Sequence, residues 1–289
     1  MATSVEETEA FDLAPLGKWS EPSEFHVDRM QLQAYANATN DDIPAHRAGD
    51  VASPVFNVVP AFQVVAPLTL NMPPEAKRSM GLHGQQEFRF HRPIEPGMRL
   101  VTRALPTGVI PHSTGSTITV KGVTTTSDGE PVVDQWVTVF IRTAIAPEAV
   151  GEGPPPYVVE RELPPIAEVD RVFDIDQSFR YMGASGDVMP LHTSNEFARA
   201  AGLPGIILHG NCTFAFATRM LMGATCDDDV RRIKRLAVRF SRWVTPQDTL
   251  TTRVYRAGRR DGRTVYGFES AVGTGELCLS NGLIEVEDQ

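Results

Sequence analysis

Two stretches of this sequence return later in the chain, and that repetition limits the fold more than any other feature. Asp41-x-x-Pro44-x-His46 reappears as Asp187-x-x-Pro190-x-His192, 146 residues on. Phe90-x-Arg92-x-x-x-Pro96-x-x-x-Leu100 reappears as Phe240-x-Arg242-x-x-x-Pro246-x-x-x-Leu250, 150 residues on. Two anchors whose offsets agree to within a few residues mark an internal duplication. Of the 289 residues, 42% are hydrophobic and 22% charged, which is enough apolar material for two cores of ordinary size. The boundaries expected are a mobile tail over 1–12, a first unit over 13–143, a linker over 144–169 and a second unit over 170–289. The linker rests on Gly151-Glu152-Gly153-Pro154-Pro155-Pro156 and Pro164-Pro165, a composition that is stiff where prolines cluster.

Each unit reads as helix, Asp/His motif, helix, strands. Apolar residues at helical spacing (Met30, Leu32, Ala34, Tyr35, Ala38) predict a short amphipathic helix over 27–38. The apolar segment 54–70 carries Pro60 and Pro67, which should kink or shorten any helix there. The pattern changes over 86–91, 99–105, 116–126 and 131–142, where 116–126 and 131–142 are rich in Thr, Val and Ile, and again over 235–243, 249–257, 264–272 and 276–286. These predict strands, with Ser127-Asp128-Gly129 as a hairpin turn. A lone unit would expose a sheet edge, which pairing with its twin extends and covers.

The chemistry-bearing stretch is 181–222. Gly186 and Pro190 bend a segment that holds Asp187 and His192 five residues apart, and Ile207-Leu208-His209-Gly210 then opens a long apolar helix. A carboxylate and a neutral imidazole sharing a water form an acid/base pair. Residues 181–210 resemble the signature of the MaoC-like, or hydratase-2, family of hot-dog proteins. The match runs through Tyr181, Ser185, Gly186, Asp187, Pro190, Leu191, His192, Ala198, Gly202 and Ile207 to Gly210. Met189 stands where the family has Asn, and His192-Thr193-Ser194 replaces its His-x-Asp.

The resemblance implies an α+β double hot dog, each unit a long helix wrapped by a curved antiparallel sheet. It implies reversible hydration of trans-2-enoyl thioesters to (R)-3-hydroxyacyl thioesters, with an acyl-CoA substrate and no metal or redox cofactor. Asp187 and His192 are the expected catalytic residues. Gly210, with no side chain at a helix N-terminus, is the expected oxyanion donor. Met189, Pro190, Leu208, His209, Val58 and Phe62 are expected to bind substrate.

Only one half is expected to work. His192 to Gly210 spans 18 residues, whereas His46 to Val58 spans 12, and Val58 stands where Gly210 does. Asp41 and His46 are therefore read as remnants that hold a turn by local hydrogen bonds. Leu82-His83-Gly84, a second His-Gly, precedes a predicted strand and is given little weight. The shortened first half should leave an apolar space lined by Val58, Phe62, Val65 and Leu68, suited to a long-chain or polycyclic acyl group.

Charge and cysteines narrow the alternatives. Net charge is −9 and the sequence pI about 5.3, which disfavours nucleic-acid binding. Cys212, Cys226 and Cys278 share no close spacing, so neither a disulfide framework nor a zinc site is expected. The acidic, polar first ten residues do not read as a signal peptide, and His209 and Arg219 interrupt the apolar run 205–223, so no membrane span and a cytoplasmic location are expected. A homodimer is the expected assembly. Residues 229–263 carry 11 Lys/Arg against 3 Asp/Glu, which suits capture of CoA phosphates or an acidic acyl carrier protein, or equally a solvated strand face. The alternatives to a hydratase are a 3-hydroxyacyl-carrier-protein dehydratase, a hot-dog thioesterase and a non-catalytic acyl-binding scaffold. Met189 favours the last of these, and the Asp187/His192 pair argues against the thioesterase.

Overall fold

A computed structural model describes residues 10–273 and 275–288. Its frame is a single sheet in the order β1-β3-β4-β5-β2-β8-β11-β10-β9-β7, with β6 paired to β3. The first unit supplies β1 (Ser23–His26), β2 (Gly81–Phe90), β3 (Arg99–His112), β4 (Gly115–Thr126) and β5 (Pro131–Arg142). After β6 (Val150–Gly151), the second supplies β7 (Ala167–Val172), β8 (Ile233–Phe240), β9 (Thr249–Arg260), β10 (Arg263–Val272) and β11 (Glu276–Glu287). Exchanging each first-unit strand for its second-unit counterpart turns the order into its own mirror, so the duplication is visible in the topology. The seam is the antiparallel pair β2–β8, with Phe88 opposite Leu236. Beside it, buried Glu87 takes a hydrogen bond from Arg235 at 2.9 Å, so its charge is paired rather than stranded.

Helices follow the same duplication. In the first unit α1 (Arg29–Ala38), α2 (Pro44–Arg47) and α3 (Val58–Asn71) precede β2; in the second, α4 (Gln177–Ser185), α5 (Asn195–Ala200) and α6 (Gly210–Thr225) precede β8. The Tyr35 and Tyr181 hydroxyls, one from each copy, meet at 3.2 Å between α1 and α4. Asp28 caps α1 through the Met30 N–H, with Gln31 completing a capping box. Among the described residues α6 is the central core helix, with Phe214, Phe216, Leu221 and Met222 fully buried. Segment Pro54–Asn71 is by length and composition apolar enough to cross a membrane, yet half of it is buried and it packs on β3 and β4.

The helix α3 runs unbroken through both prolines. Pro60 sits in its first turn, where no N–H is required, and Pro67 removes one bond from a helix held mainly by its packing. Several other boundaries move. Residues 1–9 of the expected tail lie outside the described residues, but Phe11 packs into the first-unit core and the Asp12 N–H donates to Met72 O at 2.8 Å. The expected linker is laid against the sheet: β6 pairs with β3, the Tyr157 hydroxyl donates to Asn281 O at 2.8 Å, and Ala167–Val169 already belong to β7. Its prolines keep it extended, and extended chain beside a sheet finds partners there.

Candidate active site

The second copy of the motif opens onto a cavity of about 670 Å³. Gly186 ends α4 at φ 78, a left-handed turn that glycine takes without strain, and the chain then reverses into Asp187. The Met189 N–H donates to Asp187 Oδ1 at 3.2 Å, and Pro190 starts a short 3₁₀ turn that ends on His192. Ser194 caps α5 by accepting from the Phe197 N–H at 3.2 Å. That is a job Asp performs equally well, which accounts for the altered His-Thr-Ser.

Two imidazoles stand over the acid. His192 Nδ1 donates to Ile207 O at 2.9 Å, which leaves Nε2 with its lone pair. His209 Nε2 donates to Asp187 O at 3.0 Å, and the rings of His192 and His209 stack with centroids 3.8 Å apart. Burial holds the His192 pKa below the ordinary histidine range, against the opposing pull of Ile207 O and Asp187. Burial and neighbouring His192 push His209 down to about 3. Both are neutral at pH 7, as stacked imidazoles should be. Functional atoms of Asp187, His192 and His209 all lie within 4.8 Å of one another.

The N-terminus of α6 completes the site. Its N-cap, His209, makes no side-chain capping bond, and among the described residues the Gly210 and Asn211 N–H groups donate to no acceptor. These open donors and the helix dipole together favour negative charge at this point. A Cβ on Gly210 would stand 3.2 Å from the Phe240 ring, tighter than ordinary contact.

Of the expected site residues, Asp187, His192, Gly210, Met189, Leu208, His209, Val58 and Phe62 all border this one cavity. Pro190 does not: it is exposed, because its place at the head of the 3₁₀ turn faces it away. Val65 borders the cavity, but Leu68 packs into the first-unit core instead. His83 also borders the cavity; the second His-Gly lies inside β2, not before it, and opens no helix. Gln86 and Phe240, with Phe197 and Leu203 around α5, line the same space without being among the expected site residues.

The first copy is closed. His46 Nδ1 and Asp41 Oδ2 are 2.7 Å apart and both side chains are buried. Most of the basic segment is spoken for as well: nine of its eleven Lys/Arg lie within 4.0 Å of a carboxylate. This matches the solvated, charge-balanced face more than a free phosphate site.

Comparisons with known proteins agree with this geometry. Residues 159–275 match the family described as MaoC like domain, and residues 14–135 match the FAS1-like, dehydratase domain region. The second half of the chain thus carries a MaoC-like dehydratase domain and the first half a FAS1-like dehydratase region. The chain is 29% identical over 212 residues to the probable enoyl-CoA hydratase 2 of Dictyostelium discoideum, covering 72% of this chain and 70% of that one. It is also 29% identical over 265 residues to the enoyl-CoA hydratase ChsH3 of Mycobacterium tuberculosis, covering 85% and 89%. The crystal structure of a MaoC-like dehydratase from Phytophthora capsici superposes with a TM-score of 0.84 at 24% identity, covering 97% and 98%. That last likeness is one of fold, the double hot dog.

Proposed function

We infer that this chain reversibly adds water across the double bond of trans-2-enoyl-CoA thioesters, giving the (R)-3-hydroxyacyl thioesters that the family resemblance implies. One observation carries the reading: Asp187 and His192 face a shared cavity with functional atoms within 4.8 Å, a gap that one water bridges. The two relatives above, named as a probable enoyl-CoA hydratase 2 and an enoyl-CoA hydratase, support the choice of substrate.

The step balances with these groups alone. His192 Nε2 takes a proton from the water as the water oxygen bonds to Cβ. The Cα–Cβ π electrons shift toward the thioester, and charge gathers on its oxygen, where the Gly210 N–H donates. Cα then takes the proton back from His192, which restores the neutral thioester and imidazole. Asp187 accepts the second hydrogen of the water and favours the imidazolium while it lasts.

The cavity runs from Met189 to Val58, Phe62 and Val65 on α3, so the acyl chain is proposed to lie against the first unit. Space of this kind favours long or ring-bearing acyl groups by about 0.8 kcal/mol for each methylene buried. The test is kcat/KM for crotonyl-CoA, trans-2-dodecenoyl-CoA and a ring-bearing enoyl-CoA, followed by loss of enoyl absorbance. The larger substrates should be preferred by tenfold or more, on the order of two buried methylenes. A preference for crotonyl-CoA overturns the size argument, and no loss with any of them overturns the reaction.

A further inference from the structure

Along the acyl path lies a pair of polar groups that hydration does not use. His83 and Gln86 both border the cavity, although three residues apart on a strand they should face opposite ways. A β-bulge between His83 and Gln85 changes this. His83 pairs with Val139 and Gln86 with Val137, two residues apart on β5 and so on one face of the sheet. Bulges are known to re-aim side chains beside active sites, and Gly84 is the extra residue here.

The polarity of Gln86 is fixed from a distance. Gln135 Nε2 donates to the backbone carbonyl of Asn57 at 3.1 Å, so Gln135 must turn its oxygen the other way. Gln86 Nε2 donates to that oxygen at 3.2 Å, which leaves Gln86 Oε1 as an acceptor with no partner. Gln86 is fully buried. His83 Nε2 also lacks a partner, and burial pushes its pKa down to about 4 against the opposing pull of Gln85 and Gln86. A buried acceptor without a donor costs about 1–3 kcal/mol, and such a cost is ordinarily met by a ligand or a water. The His83 ring lies 4.4 Å from that of Phe240, which in turn abuts Gly210. The pair therefore sits one aromatic ring beyond the thioester end.

We propose that His83 and Gln86 form a subsite for a hydroxyl group on the acyl chain, beyond the carbons that react. A hydroxyl donates to Gln86 Oε1 with its oxygen beside His83, whereas a ketone can only accept and leaves Gln86 unpaired. The subsite rests on the reading of this chain as an enoyl-CoA hydratase.

Binding tests it without turnover. The whole chain is titrated calorimetrically with dodecanoyl-CoA and with its mid-chain hydroxy and keto isomers. At least one hydroxy isomer should bind about tenfold more tightly than the plain chain, the value of one well-made hydrogen bond. His83→Phe and Gln86→Met should each reduce that preference to about twofold or less; one variant with a wild-type melting profile suffices. Equal binding of all isomers by the wild type, a ketone bound as tightly as the alcohol, or a preference that survives the substitutions overturns the subsite. Kinetics with plain trans-2-dodecenoyl-CoA separates the two failures. If it is hydrated without any hydroxyl preference, only the subsite fails; if acyl-CoAs bind and none is hydrated, the hydratase reading fails.

Discussion

The two Asp/His pairs descend from one motif and have opposite fates. Asp41 and His46 bond directly at 2.7 Å, sealed from solvent, with the Arg219 guanidinium 3.9 Å from the acid. Asp187 and His192 point into a cavity, and His192 is tied to a carbonyl rather than to its acid. The helix N-termini beside them differ in the same sense. Before α3, a 3₁₀ turn (Pro54–Asn57) runs straight into the helix, and the Val58 N–H is taken up by Val55 O within it. Before α6, the chain arrives extended at His209, and the first donors stay open. An acid and a base become useful to a substrate only when they are kept from satisfying each other.

The largest effect should come from exchanging the fates of these pairs. Asp187→Asn and His192→Ala should each lower kcat/KM on the order of a hundredfold or more, with little change in melting. His46→Ala should do the reverse: activity within a few-fold, and a stability loss of about 1–3 kcal/mol because buried Asp41 is left without its partner. Thermal melts and enoyl-CoA kinetics on the same preparations check both arms. Equal activity losses in the two pairs would sink the assignment to the second half.

A smaller effect is expected at the helix N-terminus. Gly210→Val copies Val58 and presses on the Phe240 ring, which must shift by a few tenths of an ångström. Turnover should fall about tenfold to a hundredfold, less than the roughly hundredfold to thousandfold of an oxyanion donor removed outright, because the N–H is displaced and not lost. The converse change, Val58→Gly, should create no second site, since the N–H there is already bonded. A Gly210→Val protein that retains most of its activity removes Gly210 from the mechanism.

What the sequence makes legible follows from where the physics is local. The motif pair, the strand runs and the 150-residue offset survive as topology because periodicity and turn residues act over a few positions. Ala144–Val169 misled because its composition describes stiffness, not whether a sheet lies alongside. Pro60 and Pro67 misled because the first costs no bond at the start of a helix, and packing against β3 and β4 outweighs the one bond that the second removes. His83 and Gln86 were hidden by the alternation rule itself. Gly84 was the one visible hint of a bulge, and only the pairing with β5 shows that two residues of opposite parity share a face. The polarity of Gln86 depends on Asn57 and Gln135, residues 29 and 49 positions away, and no local pattern carries that.

The smallest effect should be at Met189, the residue that departs most from the family motif. A thioether cannot donate a hydrogen bond, so an inert site would follow if the side chain at this position had to hold the acid. It does not have to. Asp187 Oδ1 takes the backbone N–H of Met189 at 3.2 Å, and in the first copy Asp41 Oδ1 takes that of Ile43 at 3.1 Å. The same turn forms with Met in one copy and Ile in the other, so the backbone alone orients the acid. Met189→Asn should therefore change kcat/KM on a plain enoyl-CoA by no more than about threefold, under 1 kcal/mol of transition-state stabilisation. A gain of tenfold or more would show that the turn is insufficient and that the side-chain donor matters. An inert wild type made active by Met189→Asn would mean that the native chain binds acyl thioesters without converting them, and then both Asp/His pairs, not one, would be structural.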